Sequence, residues 1–325
     1  MKAILVEENS KNLFIGKADM PHLNKNELLV KVKATALNRA DLLQKRGLYP
    51  PPPGASPILG LEMSGMIEEV GEDVTGWQKG DRVCALLPGG GYAEYAVIPA
   101  GMAIRIPENL SFEEAAAIPE VFLTAFLNMF WLGKLKKGET ILIHAGASGV
   151  GTAAIQLARE IGARVIVTAG TEEKRSLCLS LGAEVAIDYK EGPFHEKVMD
   201  ATSGKGVNVI FDFIGAPYWD QNIDSLAANG KLILIGTMGG SKLEDVNLGK
   251  LLFKRIQVIG TALRSQPVEK KIALTKDLAE FALAKFENAR LKPIIDRIWD
   301  WEKVNEAHSY MEQNKNAGKI VLRIS

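Results

Sequence analysis

The stretch "IHAGASGVGTAAIQLA" (143–158) decides the fold. The apolar residues Ile141 to Ile143 that lead into it make one short strand. After it, Val150, Ala154, Leu157, Ala158 and Ile161 fall on one face of a helix. A strand that turns through small residues into a helix aims backbone N–H groups and the positive end of the helix dipole at an anion. The stretch therefore predicts a phosphate-binding βα turn. Its glycines, Gly146, Gly149 and Gly151, depart from the G-x-G-x-x-G spacing of the usual dinucleotide fingerprint, so context must identify the ligand.

That context is a long alternation. From "SFEEAAAIP", where Ser111 and Glu114 stand at capping-box spacing and start a helix, strands and helices succeed one another. Strands are predicted at 140–144, 164–168, 184–187, 207–212, 231–235 and 256–260, and helices at 152–161, 172–181, 194–202, 217–228 and 247–253. Continuous apolar strands alternating with helices predict an α/β fold, a doubly wound parallel sheet of Rossmann type. Residues 1–100 have another texture: "ELLVKVKATALN" (27–38), "SGMIEEVG" (64–71), "GDRVCALL" (80–87) and "GYAEYAVIP" (91–99) are β-like segments between glycines and prolines. "YPPPPG" (49–54) is a stiff extended loop, either a spacer or the rim of a pocket. A helix at 267–286, an extended "KPIIDRIWDW", a helix "EKVNEAHSYME" and a strand "GKIVLRI" complete the chain.

With 325 residues there is room for two domains, and 39 basic against 39 acidic residues leave no electrostatic footprint for nucleic acid or a membrane surface. The two cysteines, Cys84 and Cys178, sit in apolar contexts and read as buried small hydrophobes. No signal peptide or transmembrane run is seen, so a cytoplasmic location is expected. His144 reads as a satisfied, partly buried residue, and His22, His195 and His308 as loop or helix-surface residues.

The second βα unit bears on the nucleotide. In a Rossmann domain an acid about 20 residues beyond the glycines binds the adenosine ribose. Here the strand tip carries Gly170 and Thr171, with Lys174 one turn into the next helix. A small residue, a hydroxyl and a cation suit a 2′-phosphate, so NADPH is favoured over NADH; Glu172 and Glu173 compete with this unless they face solvent.

The segments "ALNRADLLQKRGLYPPPPGAS", "ILGLEMSG", "LLPGGGYAEYAVIP", "LTAF", "LIHAGASGVGTAAIQLA", "VNVIFDFIG", "LLFKRIQVIGTALRS" and "AHSYMEQNKNAGKIVL" occur in order along nearly the whole chain. In them it resembles the medium-chain dehydrogenase/reductase superfamily. It is most similar to the quinone oxidoreductases related to zeta-crystallin, in particular the p53-inducible quinone oxidoreductase-like subgroup. The resemblance implies a GroES-like β-barrel catalytic domain from 1–122 and 265–325, a Rossmann NADPH-binding domain over 123–264, and a cofactor in the cleft between them. It also implies a homodimer through the last Rossmann strand, whose apolar edge needs cover.

The chain departs from the zinc alcohol dehydrogenases of that superfamily. Leu61 stands where their metal-ligating histidine precedes a glutamate, Asn38 replaces a cysteine ligand, and the four-cysteine loop is missing. Glu62 alone cannot hold Zn²⁺, so no metal is expected. Hydride transfer to a quinone or enone leaves a delocalised anion that hydrogen bonds can stabilise.

By resemblance, Ser148, Gly149, Val150 and Gly151 meet the pyrophosphate; Gly170, Thr171, Lys174 and Tyr189 meet the 2′-phosphate. Thr124, the "GTMG" turn with Gly236 and Met238, and Leu263 of "ALR" lie near the nicotinamide, with Asn314 approaching from the C-terminal loop. Asn38 and Tyr49 line the substrate side as donors to a carbonyl oxygen. Plainer alternatives stay open: Tyr189 as a surface aromatic, Asn38 as a turn residue, Asp41 as structural. The expected function is zinc-independent hydride transfer from NADPH to quinones. The alternatives are an NADPH-dependent alkenal/enone double-bond reductase and a low-turnover, crystallin-like nucleotide-binding protein.

Overall fold

Alternating apolar residues make the first hundred positions a set of antiparallel strands. The computed structural model describes all of residues 1–325 and divides into two units, Met1–Leu123 with Arg264–Ser325, and Thr124–Leu263. In the first unit β1 (Lys2–Val6) and β2 (Leu13–Lys17) form a separate hairpin. Then come β3 (Glu27–Ala36), α1 (Arg39–Lys45), β4 (Glu62–Val70), β5 (Arg82–Leu86), β6 (Tyr95–Pro99), β7 (Ala103–Arg105), α2 (Phe112–Ala116) and α3 (Pro119–Phe126). The capping box read at α2 is present, with Ser111 Oγ accepting from Glu114 N–H (3.1 Å) and Glu114 accepting from Ser111 N–H (2.8 Å).

The second unit contains β8 (Thr140–Ile143), α4 (Gly149–Glu160), β9 (Arg164–Ala169), α5 (Glu172–Leu181), β10 (Val185–Asp188), α6 (Phe194–Ala201), β11 (Val207–Asp212), α7 (Trp219–Ser225), β12 (Leu226–Leu234), α8 (Leu248–Lys254) and β13 (Gln257–Gly260). All neighbours in its sheet are parallel, in the order β10-β9-β8-β11-β12-β13. Numbered within the unit this is 3-2-1-4-5-6, the doubly wound order whose switch point lies between β8 and β11. Leu142, Ile166, Val207, Ile210 and Leu232 belong to its core.

One expected helix is corrected here. Residues 217–228 were read as helical, but α7 ends at Ser225 and β12 begins at Leu226. Leu226, 1% exposed, pairs with Val207, and the ladder resumes only at Lys231 opposite Val209. The residues between bulge outward through Asn229, whose φ is +63°. Burial of one leucine beside Val207 thus prevails over helix propensity.

The chain returns to the first unit through α9 (Val268–Glu287), β14 (Ile295–Asp300), α10 (Val304–Glu312) and β15 (Lys319–Arg323). β15 is parallel to β14 and antiparallel to β3, inside a sheet ordered β14-β15-β3-β4-β5-β7, with β6 also on β3. This largely antiparallel sheet, fed by both ends of the unit, encloses an apolar core that includes Val30, Met63, Tyr92, Trp301 and Ile320. No helix is long and apolar enough to cross a membrane.

Candidate functional site

In the second unit the expected nucleotide residues gather at the carboxyl ends of the parallel strands. Ser148 caps α4, its Oγ accepting from Gly151 N–H (3.1 Å). A Cβ on Gly151 would stand 2.4 Å from Gly146 O and 2.6 Å from Ala145 O, so only glycine allows the helix to start this close to the turn. With Gly151 N–H capped by Ser148 and Thr152 N–H bonded to Ser148 O, the Gly149 and Val150 N–H groups remain at the head of α4 to serve an anion.

At the next tip Thr171 caps α5, accepting from Lys174 N–H (3.3 Å), while its hydroxyl hydrogen goes to the Glu173 carboxylate. Tyr189, beyond the end of β10, lies against Gly170: a Cβ there would meet its Oη at 2.6 Å. Glu172 is drawn back along α5 to Arg175 (2.6 Å), and Arg175 also pairs with Asp188. Glu172 is therefore partnered, whereas Glu173 stays at the Thr171 hydroxyl, the acid that a 2′-phosphate would have to displace. Beyond β12, Met238 N–H donates to Phe213 O (3.0 Å), which brings the Gly236–Met238 turn beside the end of β11. Leu263 is buried after β13, and Thr124 is buried on α3, its carbonyl accepting from Asn128.

Sequence reading missed what ties these tips together. Asp212, at the end of β11, accepts from Ile214 N–H (2.7 Å), Gly215 N–H (3.1 Å) and Asn222 Nδ2 (3.0 Å). Asn222 Oδ1 then faces His144 Nε2 at 2.7 Å, and His144 Nδ1 lies 3.0 Å from Thr168 Oγ1. Because Asn222 gives its N–H to a carboxylate, its oxygen fixes the proton on Nε2, and Nδ1 accepts from Thr168. Burial pushes the His144 pKa down to about 4, so the ring is neutral. The chain runs across β11, β8 and β9 on both sides of the switch point.

The first unit holds a second constellation. Glu62 is wholly buried on β4. Its Oε1 accepts from Lys319 Nζ (2.7 Å) and Asn38 Nδ2 (2.9 Å), and its Oε2 from the Glu120 backbone N–H (2.8 Å). Lys319 also donates to Leu37 O (2.6 Å) and Asn38 Oδ1 (2.7 Å), which uses all three of its hydrogens. The second Asn38 N–H goes to Ala36 O (3.3 Å). Asn38 therefore has no hydrogen left for a substrate carbonyl. It orients the ion pair instead, a correction to the donor role expected of it.

Tyr49 differs. Its hydroxyl makes no hydrogen bond within the chain, while Arg264 stacks on the ring (5.1 Å) and donates to its carbonyl (3.3 Å). Arg264, 4% exposed, also donates to Pro88 O (2.9 Å) and Gln44 Oε1 (2.7 Å), clamping the proline-rich loop to α1. Asp41 is structural: its carboxylate accepts from Asn38 N–H (2.7 Å) and Gly60 N–H (3.1 Å) and lies 3.3 Å from Tyr92 Oη. Burial lifts its pKa to about 6. His308, expected on a helix surface, is wholly buried, 3.2 Å from Tyr92 Oη. Asn314, in this unit, takes a left-handed turn (φ +55°) and accepts from Arg39. The signal for Glu120 and Lys319 was present, each being a lone charge beside an apolar run, "AIPEVFL" and "GKIVL".

Residues 24–108 match the alcohol dehydrogenase GroES-like domain and residues 149–279 match a zinc-binding dehydrogenase domain. A quinone oxidoreductase-like protein 2 homolog of Nematostella vectensis is 32% identical over 99% of this chain and 88% of its own. Quinone oxidoreductase of Sus scrofa is 32% identical over 91% of this chain and 89% of its own. This chain belongs to the medium-chain dehydrogenase/reductase superfamily, within its quinone oxidoreductase-like family. Solved structures agree with a member of that family. A Pseudomonas syringae quinone oxidoreductase superposes with a TM-score of 0.85 at 30% identity, covering 99% of both chains. A mycobacterial protein solved with NADPH gives 0.87 at 28% identity over 100% of both. CurK enoyl reductase gives 0.87 at 28% identity over 100% of this chain and 99% of its own. In this quinone oxidoreductase-like chain no group of three His, Cys, Asp or Glu side chains is placed to hold a metal ion.

The buried pair makes a testable statement about stability. Lys319→Met leaves the buried Glu62 side chain without its ion-pair partner and lowers the unfolding free energy by about 3–5 kcal/mol in urea titrations. The double variant Glu62→Gln with Lys319→Met recovers part of that loss, since removing both charges is much milder than stranding one.

Proposed function

We propose that this chain is an NADPH-dependent reductase of quinones, acting without a metal ion. The observation that carries the reading is the closed network around Glu62. Leu61 offers no donor, Asn38 and Lys319 are saturated with internal hydrogen bonds, and the Tyr49 hydroxyl, in the fields of Glu120 and Arg264, is left without a hydrogen bond in the chain. One neutral hydroxyl suits the delocalised anion of a reduced quinone or enone better than a localised alkoxide.

The second unit fits a dinucleotide: a turn packed too closely for a Cβ on Gly151 leads straight into α4, whose leading Gly149 and Val150 N–H groups suit an anion. When bound, the reduced nicotinamide supplies a hydride. The chain's own residues bind and orient: Gly149, Val150 and Gly151 at the pyrophosphate, Thr171 and Lys174 at a 2′-phosphate, and Tyr49 at the substrate oxygen. The relatives named quinone oxidoreductase and the neighbour solved with NADPH support this reading. The neighbour named enoyl reductase supports an enone as the competing acceptor.

We also propose a homodimer. Edge strand β13 pairs only with β12, and next to it α8 exposes Leu248, Leu252 and Phe253 at 68, 75 and 81%. Three large apolar side chains beside an unpaired strand edge favour cover by a second copy across a twofold axis.

Steady-state rates at saturating NADPH decide the acceptor: ortho-quinones are reduced faster than 2-alkenals, and the reverse order makes the chain an enone reductase. Oxidation of NADPH with neither acceptor, under anaerobic conditions, would leave only nucleotide binding. Lys174→Ala weakens NADPH binding about tenfold by calorimetry and leaves NADH binding nearly unchanged, the cost of one charge-assisted contact; equal losses would sink the 2′-phosphate assignment. For assembly, sedimentation equilibrium finds a dimer for the wild type and a monomer for Leu252→Glu with Phe253→Glu.

A further inference from the structure

Glu120 occupies the second position of α3, directly after Pro119. Its backbone N–H is bound to Glu62, but its carboxyl group makes no hydrogen bond within the chain, and Oε2 is buried without a partner. The charged groups whose fields reach it come from five parts of the first unit. They are Glu62 on β4, Asp41 on α1, Lys319 on β15, Arg264, and Lys271 on α9, with Tyr49 beside them.

None of the three cations donates to Glu120. Lys319 is saturated by Leu37, Asn38 and Glu62. Arg264 turns its three nitrogens to Pro88, Tyr49 and Gln44, and Lys271 Nζ points to Arg264 O (3.3 Å). A carboxylate here would be a buried charge without a partner, which proteins avoid by keeping the proton. Burial first, and the neighbouring Glu62 second, push the Glu120 pKa up to about 8. The Tyr49 phenol is raised too, by burial and then by Glu120.

We propose that Glu120 is the proton donor of the reduction, delivering its carboxyl proton to the substrate anion beside Tyr49. The inference rests on the reductase reading above. Hydride from reduced nicotinamide brings two electrons and one hydrogen to the conjugated carbonyl compound and leaves a monoanion, an enolate or a hydroquinone anion. The Glu120 O–H bond then breaks, its electron pair remains on the carboxylate, and a new O–H or C–H bond forms on the product. The carboxylate regains a proton from water before the next turnover. Glu62 cannot serve, since both its oxygens are taken up within the chain by Lys319, Asn38 and the Glu120 N–H.

The test uses Glu120→Gln, which keeps the shape and removes the transferable proton. Infrared difference spectra of the wild type show a carboxylic C=O band at pH 7 that fades as the pH passes about 8 and is missing in the variant. Stability provides a second readout. The Glu120 proton is held more tightly in the folded chain than in the unfolded one. Its contribution to stability is complete below about 4.5 and is lost as the pH rises through about 8. Glu120→Gln is therefore the more heat-stable protein at pH 9, and the gap closes toward pH 4.

At saturating NADPH the variant's kcat falls about 100-fold, within the usual range for a general acid. The basic limb of the wild-type pH profile disappears, and Glu120→Asp recovers part of both. An active wild type whose Glu120→Gln variant keeps its rate and pH profile overturns the proposal alone, as does the lack of a carboxylic band at pH 7. A wild type that reduces neither quinones nor enones overturns the reductase reading, and this proposal with it.

Discussion

The ion pair between Glu62 and Lys319 is the contact on which the first unit turns. Both side chains are almost fully removed from water, at 0 and 4% exposure, so their desolvation costs several kcal/mol each. The attraction offsets this only because all three Lys319 hydrogens and both Glu62 oxygens have partners, among them Asn38, Leu37 and the amide of Glu120. Those partners lie on segments far apart in the chain. β15 comes last, β4 early, and Glu120 heads α3. A charge pair so completely hydrogen-bonded admits one arrangement, so the register of β15 against β3 and the start of α3 are set together. The carboxylate of Glu62 also meets the N-terminal end of α3, where the helix dipole favours it.

The second unit solves a related problem without a net ion pair. Its strand tips carry the backbone N–H groups that suit an anion, and such tips are loops on an exposed edge. The chain from Asp212 through Asn222 and His144 to Thr168 stiffens them from beneath, across the switch point. Its one carboxylate accepts three N–H groups, and its imidazole stays neutral because burial disfavours the charged ring. Aromatic edges of Phe194 and Tyr218 pack against the same imidazole, which excludes water from the network.

What could be read from sequence followed from the range of each interaction. The βα turn at Gly146–Gly151, the Ser111–Glu114 capping box and the alternation of strand and helix are local signals, and the parallel sheet came from them. α1 was missed because seven residues carry too little periodicity, although Asn38 and Asp41 stand at capping positions. The helix expected at 217–228 failed where Leu226 is drawn beside Val207. His308 looked like a helix-surface residue because its burial depends on Tyr92, contributed from the other end of the chain. Lys319 escaped for the same reason, since its partner is fixed only when β15 joins β3. The glycine turn was legible and the constellation around Glu62 was not, because the former is one contiguous motif and the latter is assembled from several separate segments.

Two glutamates in one unit, joined through a single backbone N–H, are in opposite states of hydrogen bonding. Glu62 has a cation, an amide and a backbone donor; Glu120 has an orphaned oxygen and a carboxylate for a neighbour. The second state depends on the first, because Lys319, fully engaged by Glu62 and Asn38, is not available to neutralise Glu120. A family whose domain model carries the name zinc-binding thus keeps, in this chain, the scaffold while the local chemistry is reset by residue type. Where donors for a metal would converge, a leucine and a saturated asparagine stand, and the polar capacity of the site passes to an uncharged carboxyl and a phenol. Groups that are neutral at rest and acidic when an anion forms beside them stabilise charge only as it develops, which is the requirement for lowering a barrier rather than binding a ground state.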